Sequence, residues 1–334
     1  MRIVVAGCGA VGARAARQLQ TIGGLTDLVL IDPDRSRAGR VAATLGSPAR
    51  VAAWADETLD HPGTVLVLAL PAGEHRRLAE IAIERGADVV SVADDIDEVT
   101  RLLDLDAEAT ERGRTVVVGA AFSPGLTCLL ARHAAADFSS VDEIHVAKTG
   151  TGGPACARQH HRALGGEAVD WRDGGWTRRP AGSGRELCWF PDPIGGLDCY
   201  RAALPDALLL RPAFEAAGVT RITARVSASR RDRVTARLPM LRRPHAEGDI
   251  AAVRVEVRGR RGVGTDTRTL GAIDRPGIAA GAVLAVAASW VVEGRLARPG
   301  AGGLAELVTE PVVFLRDLSD RGVRSAVFEG GASG

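Results

Sequence analysis

The sequence predicts an α/β fold: an N-terminal doubly wound parallel sheet, then a second α/β domain built on a mixed sheet. Three observations carry that expectation. The apolar run Arg2-Ile3-Val4-Val5-Ala6 leads straight into Gly7-Cys8-Gly9-Ala10-Val11-Gly12 and an apolar, helix-prone segment, Ala13 to Gln20. A second apolar run, Leu28 to Ile31, ends on Asp32, twenty residues after Gly12. Beyond it strand and helix signals alternate through the first third of the chain, as a doubly wound sheet requires.

Each element follows from local pattern. Arg35 to Leu45 reads as a helix, followed by a short strand around Val51. Thr64 to Leu70 is continuously apolar, which suits a strand buried on both faces, and Pro71 stops it. Glu74 to Arg85 reads as a helix closed by Gly86, and Val89 to Val92 as the next strand, with Asp94-Asp95 just beyond its end. Glu98 to Arg112 reads as one helix closed by Gly113, and Thr115 to Val118 as the last strand of the series. Ser123-Pro124-Gly125 reads as a helix start with serine as the cap, and Leu126 to Ala136 as its helix. From Val141 the pattern changes to alternating, strand-like segments: Asp142 to Ala147, Glu186 to Phe190, Arg221 to Val226 and Val253 to Val257. Gly165 to Gly184 reads as loop-rich, Gly277 to Val292 as a buried helix, Pro311 to Leu318 as a late helix, and Val323 as near a short strand. Gly330 to Gly334 is expected to fray. The domains are expected at 1–123 and 124–299, with 300–330 packing back onto the first.

The first 32 residues have the chemistry of a dinucleotide site. Gly7 permits a tight turn, Gly9 lets backbone approach a pyrophosphate, and Gly12 lets the helix pack closely. Ala10 and Val11 open that helix, whose N-terminus would face the phosphates. Asp32 is placed to accept hydrogen bonds from a ribose and repels a 2′-phosphate, which favours NAD. Arg35 and Arg37 stand close enough to keep NADP open. Such folds bind ligands at the carboxyl ends of the strands, which adds Leu70, Pro71 and Ala93 to the cofactor contacts.

Composition narrows the rest. A formal charge of +1, from 42 basic and 41 acidic residues, gives no case for nucleic acid or membrane as partner. Forty-one of the basic residues are arginine, and Lys148 is the only lysine. The five cysteines (8, 128, 156, 188 and 199) form no C-x-x-C pair, which points to reduced thiols. A strand beginning at Arg2 leaves no room for a signal peptide, so a cytoplasmic protein is expected.

Four stretches resemble the saccharopine dehydrogenase family, which includes lysine 6-dehydrogenases and carboxynorspermidine dehydrogenase-type enzymes. They are the glycine motif with Ile31-Asp32-Pro33-Asp34; Gly86 to Asp95; Val118-Gly119-Ala120-Ala121-Phe122-Ser123-Pro124-Gly125-Leu126-Thr127; and Gly294 to Gly300 with Phe314-Leu315 through Arg321-Gly322-Val323. The resemblance implies a Rossmann domain, an inserted α/β domain that builds the substrate site, and a C-terminal segment returning to the nucleotide domain. It also implies reversible hydride transfer between a nicotinamide and a carbon–nitrogen bond of an amino acid or polyamine, and a homodimer. The segment 147–211 carries few residues that match any one activity.

Candidate catalytic residues are Lys148, at the end of a second-domain strand, Asp94 or Asp95 as acid/base or ammonium-binding groups, and His75 as a proton relay. Arg158 is a candidate for pairing with a substrate carboxylate, and His160 stands beside it. No metal site is expected, because Cys156, His160 and His161 form no second ligand cluster and adjacent histidines do not face one ion from a helix. Two rival readings remain: a redox-silent protein that senses NAD(P), and a homospermidine synthase-like enzyme that uses bound NAD catalytically.

Overall fold

The computed structural model describes residues 1–240, 244–246, 248–323 and 325–328. The chain divides into two compact units, Met1–Ala121 with Gly277–Thr309, and Phe122–Pro276 with Glu310–Gly334.

In chain order the first unit opens with β1 (Arg2–Ala6), α1 (Ala10–Leu19), β2 (Asp27–Ile31), α2 (Arg35–Leu45) and β3 (Ala49–Val51). It continues through β4 (Val65–Leu68), α3 (His75–Glu84), β5 (Asp88–Ser91), α4 (Ile96–Leu103), α5 (Asp106–Glu111) and β6 (Thr115–Val118). The second unit follows with α6 (Leu126–Ala135), β7 (Ser140–Thr149), α7 (Pro154–Ala163), β8 (Glu167–Arg172), β9 (Gly175–Pro180), β10 (Glu186–Phe190) and β11 (Gly195–Arg201). Then come α8 (Asp206–Leu210), β12 (Arg221–Ser227), α9 (Arg230–Thr235), β13 (Ala251–Arg261) and β14 (Gly264–Asp274). The chain re-enters the first unit in α10 (Pro276–Val292), β15 (Gly300–Gly303) and α11 (Leu304–Leu307), and ends in the second with α12 (Pro311–Asp320) and β16 (Ser325–Phe328).

The first unit is a seven-stranded sheet in the order β15-β6-β5-β4-β1-β2-β3, and every pairing in it is parallel. Its central strands are buried on both faces, which is why Ile3–Val5 and Leu66–Leu68 read as unbroken apolar runs. α10 belongs to this unit and packs against α1. A Cβ on Gly281 would stand 2.6 Å from the Cβ of Arg14 and 3.0 Å from the backbone nitrogen of Ala15, so only glycine fits between the helices.

The second unit is a mixed nine-stranded sheet in the order β10-β11-β12-β7-β13-β14-β16, with β8 pairing β12 and β9. β7 runs parallel to β12 and antiparallel to β13, which puts its residues at the middle of the sheet.

Four expectations need correction. The 165–184 stretch is not loop: β8 and β9 form a hairpin turned by Asp173 and Gly174, at φ 47° and 84°. The 98–112 helix is two helices, broken at Asp104–Leu105. The return to the first unit comprises 277–309, so the boundaries of 124–299 and 300–330 shift: α10 joins the nucleotide unit, while α12 and β16 stay with the second. Ser123 does not cap α6, whose N-cap is Gly125 at φ 117°. The expected fraying of 330–334 lies outside the described residues. Among the described residues no helix is long and apolar enough to cross a membrane.

Gly281→Ala should cost about 1–3 kcal/mol of unfolding free energy through overpacking. Gly39→Ala, in α2 where nothing lies within 4 Å of a Cβ, should raise stability by about 0.5–1 kcal/mol. Urea unfolding of the two variants checks both signs.

Candidate functional site

The glycine turn is built by close approach. Gly7 has φ 96°, and a Cβ there would run into the Ala69 carbonyl just past β4. A Cβ on Gly12 would meet the Gly7 carbonyl, so turn and helix touch backbone to backbone. Gly9 is the opposite case: no atom lies within 4 Å of where its Cβ would stand. It is the N-cap of α1, with no side-chain cap and no acidic residue in the first turn. The first intrahelical donor is Ala13, to Gly9 O at 3.0 Å, so the Ala10, Val11 and Gly12 amides precede the helical ladder. An open cradle at an uncapped helix N-terminus fits a dinucleotide pyrophosphate.

Asp32 closes this turn. Its side chain is 4% exposed. Oδ2 accepts from the Cys8 amide and Oδ1 from the Asp34 amide, both at 2.8 Å, and Arg37 Nη1 stands 3.5 Å from Oδ2. A carboxylate has about four acceptor positions, so three local donors leave room for one ribose hydroxyl. Burial beside this carboxylate pushes the Cys8 thiol up to about 12, which keeps it inert. Arg37 reaches toward both Asp32 (3.5 Å) and Asp34 (3.6 Å), while Arg35 is exposed at the start of α2.

The strand-end residues play structural parts here. His75 is fully buried: Nε2 donates to Leu70 O at 2.9 Å, and Nδ1 accepts from Ser91 Oγ at 2.8 Å. Ser91 Oγ in turn accepts from the Ala93 amide at 3.1 Å. Burial holds the imidazole below its usual range. With one nitrogen committed to Leu70 in the loop after β4 and the other to Ser91 at the end of β5, His75 ties that loop to the strand and has no ring nitrogen left for a proton relay. Asp95 caps α4, accepting from the Asp97 and Glu98 amides at 3.1 Å. Asp94 is partly exposed beside it. The sequence reading missed Glu98, a buried carboxylate that accepts from the Gly73 and Arg76 amides and so anchors the loop after Leu70-Pro71.

In the second unit, a polar cluster gathers around Lys148. This lysine, buried near the end of β7, lies opposite Val226 of β12 and Val253 of β13, and Nζ donates to Ser123 O at 3.3 Å. Asp206, in the first turn of α8, is wholly buried. It accepts from Ser123 Oγ at 3.1 Å and Thr127 Oγ1 at 2.8 Å. Burial raises its carboxyl, opposed by the Lys148 charge and the two hydroxyls. His160 Nε2 lies 3.3 Å from Ser227 O, to which it donates, leaving Nδ1 a buried acceptor with no hydrogen-bond partner among the described residues. Burial, then the Lys148 charge, pushes His160 down to about 4. Ser227 Oγ also bonds Thr149 Oγ1 at 2.6 Å.

Lys148 and His160, separate candidates in the sequence, lie close enough for the Lys148 charge to act on the imidazole. Arg158 does not join them: it is exposed on α7, and His161 is tied to Leu238 O at 3.0 Å. Asp206, Ser123 and Thr127 were missed. The available signal was an acid placed between Pro205 and the apolar Ala207-Leu208-Leu209-Leu210. Among the described residues no His/Cys/Asp/Glu group has a metal-binding arrangement.

Residues 1–120 match the model of the oxidoreductase family with an NAD-binding Rossmann fold. Solved structures resemble the whole chain. Apo saccharopine dehydrogenase (L-Glu forming) from Saccharomyces cerevisiae matches at 15% identity and TM-score 0.74, over 98% of this chain and 99% of that one. The fold is saccharopine dehydrogenase-like. Homospermidine synthase from Legionella pneumophila, in complex with NAD, matches at 13% identity and TM-score 0.66, over 100% and 93%. DAP dehydrogenase from C. glutamicum, in complex with DAP, matches at 16% identity and TM-score 0.53, over 96% and 98%. No curated protein matches in sequence. Residues 1–120 of the first unit thus form an NAD-binding Rossmann fold.

Two outcomes follow. Gly9→Ala should leave unfolding free energy within about 0.5 kcal/mol of the parent, since its Cβ meets nothing, yet weaken NADH at least tenfold by filling the cradle. Thermal shifts with and without NADH separate the two effects. His160 stays neutral in the folded protein down to about pH 4, whereas an unfolded histidine protonates near 6.5. Between those values the unfolded state binds more protons, so stability falls as pH drops through the window. Going from pH 6.5 to 4.5, the parent should lose about 2 kcal/mol more than His160→Asn in urea unfolding.

Proposed function

We propose that the chain is an NAD-dependent oxidoreductase that moves a hydride at a carbon–nitrogen bond, amine to imine or the reverse, on a small amino-acid-like substrate. The observation that carries this reading is the cluster of buried Lys148 and Asp206 with half-buried His160 in the unit that follows the NAD-binding fold. Bound NAD would supply the carbon that accepts or gives the hydride; the protein must handle the proton.

Oxidation of an amine takes a hydride from carbon and a proton from nitrogen, so the site needs a base on one pass and an acid on the other. Lys148 is suited to both. Its amine gains or loses a proton at Nζ, the Ser123 carbonyl holds that nitrogen in place, and the Lys148 charge opposes the burial that raises the Asp206 carboxyl. His160, held neutral, presents an acceptor at Nδ1 rather than a second positive charge. The reading is further supported by the names of two enzymes of similar fold, both dehydrogenases.

The test is a screen of amino acids and diamines with NAD⁺, and of keto acids with amines and NADH, followed by nicotinamide absorbance. Lys148→Arg keeps the counterion for Asp206 but carries a guanidinium that does not deprotonate. It should lower kcat by about 10²–10⁴-fold with NADH affinity unchanged. Turnover that survives this substitution contradicts Lys148 as the proton-handling residue.

A further inference from the structure

We infer that Asp206 is the positioning residue of the second unit's site, holding Lys148 both through Ser123 and by its charge, so that it sets how tightly the lysine amine keeps its proton. The inference rests on the reading of Lys148 as the proton-handling group. It adds a residue that no sequence motif singles out.

The geometry has two arms. One is mechanical: Asp206 accepts from Ser123 Oγ at 3.1 Å, and the carbonyl of the same Ser123 receives Lys148 Nζ at 3.3 Å. Thr127 Oγ1, from α6, gives the carboxylate a second donor at 2.8 Å. The other arm is electrostatic. Asp206 is fully buried, and Lys148 is the charge that opposes this burial. A residue needed only to receive two hydroxyls could be an amide, whose oxygen accepts both. A carboxylate in a dry setting is costly unless a cation compensates it, and in return that carboxylate stabilises the ammonium form of its partner. His160, from α7, is held neutral by burial and by the Lys148 charge, so it brings no second cation to the cluster.

Lys148 being the only lysine makes this directly readable. Protein grown on lysine labelled with ¹⁵N at Nζ carries one labelled side-chain nitrogen, whose shift reports its protonation without substrate. In Asp206→Asn the midpoint of that titration should move to lower pH by at least one unit, a tenfold loss of proton affinity, while Asp206→Glu restores most of it. An unmoved midpoint in a folded Asp206→Asn protein overturns the inference. If Asp206→Asn alone does not fold, the double variant Lys148→Met/Asp206→Asn decides. Removal of both charges should restore a cooperative unfolding transition, with a midpoint above that of Lys148→Met alone. A double variant no more stable than Lys148→Met contradicts a coupled pair. Because none of these measurements uses turnover, their failure removes the role of Asp206 without touching hydride transfer, and failure of the substrate screen leaves them standing.

Discussion

A carboxylate taken wholly out of water must be given donors and a counterion, and in the second unit that requirement ties four chain segments together. Asp206 draws the Ser123 hydroxyl from the entry to the unit, the Thr127 hydroxyl from α6, and the Lys148 charge from the central strand β7. Breaking one partner of such an arrangement leaves an uncompensated buried charge, typically a loss of 3–5 kcal/mol. The segments it joins are therefore held in one arrangement, and the Lys148 amine is held with them. His160 completes the balance by staying neutral beside the lysine, at the expense of a buried acceptor with no hydrogen-bond partner among the described residues.

The first unit solves a different problem, which is to bring backbone close to a phosphate without letting the turn move. Three glycines share that work unequally. Gly7 and Gly12 are filled from outside by Ala69 and by each other, so they are structural, whereas Gly9 faces open space and is the position a ligand would use. Asp32 spends half of its acceptor capacity on the Cys8 and Asp34 amides and so fixes the turn to the end of β2. Glu98 and His75 do the same for the loop after β4. Rigidity on this edge thus comes from buried polar side chains, several of which look catalytic when only their types are known.

That distinction explains what the sequence revealed. Parallel strands buried on both faces leave continuous apolar runs, so β1, β2, β4, β5 and β6 were legible. The β8–β9 hairpin carried its own signal, Asp173-Gly174 between Arg172 and Gly175, both with positive φ, but the surrounding glycines and arginines masked the alternation. β15 was not legible at all: Gly300-Ala301-Gly302-Gly303 has no strand propensity and exists because parallel pairing with β6 supplies its partners. For the site, the glycine motif and Lys148 stood out by pattern and by rarity. Asp206 did not, because its partners lie between 58 and 83 residues away and only folding brings them together. His75 misled for the converse reason, since a histidine beside a strand end looks the same in sequence whether its nitrogens face solvent or a carbonyl.

The central claim is that the first unit takes NAD in the open turn at Gly9, since the chemistry assigned to the second unit depends on a hydride carrier. Calorimetric titration of the purified chain with NADH tests it most directly. The account predicts one site per chain with micromolar affinity. Absence of binding heat at several temperatures, with no NADH-induced rise in unfolding temperature, would contradict it.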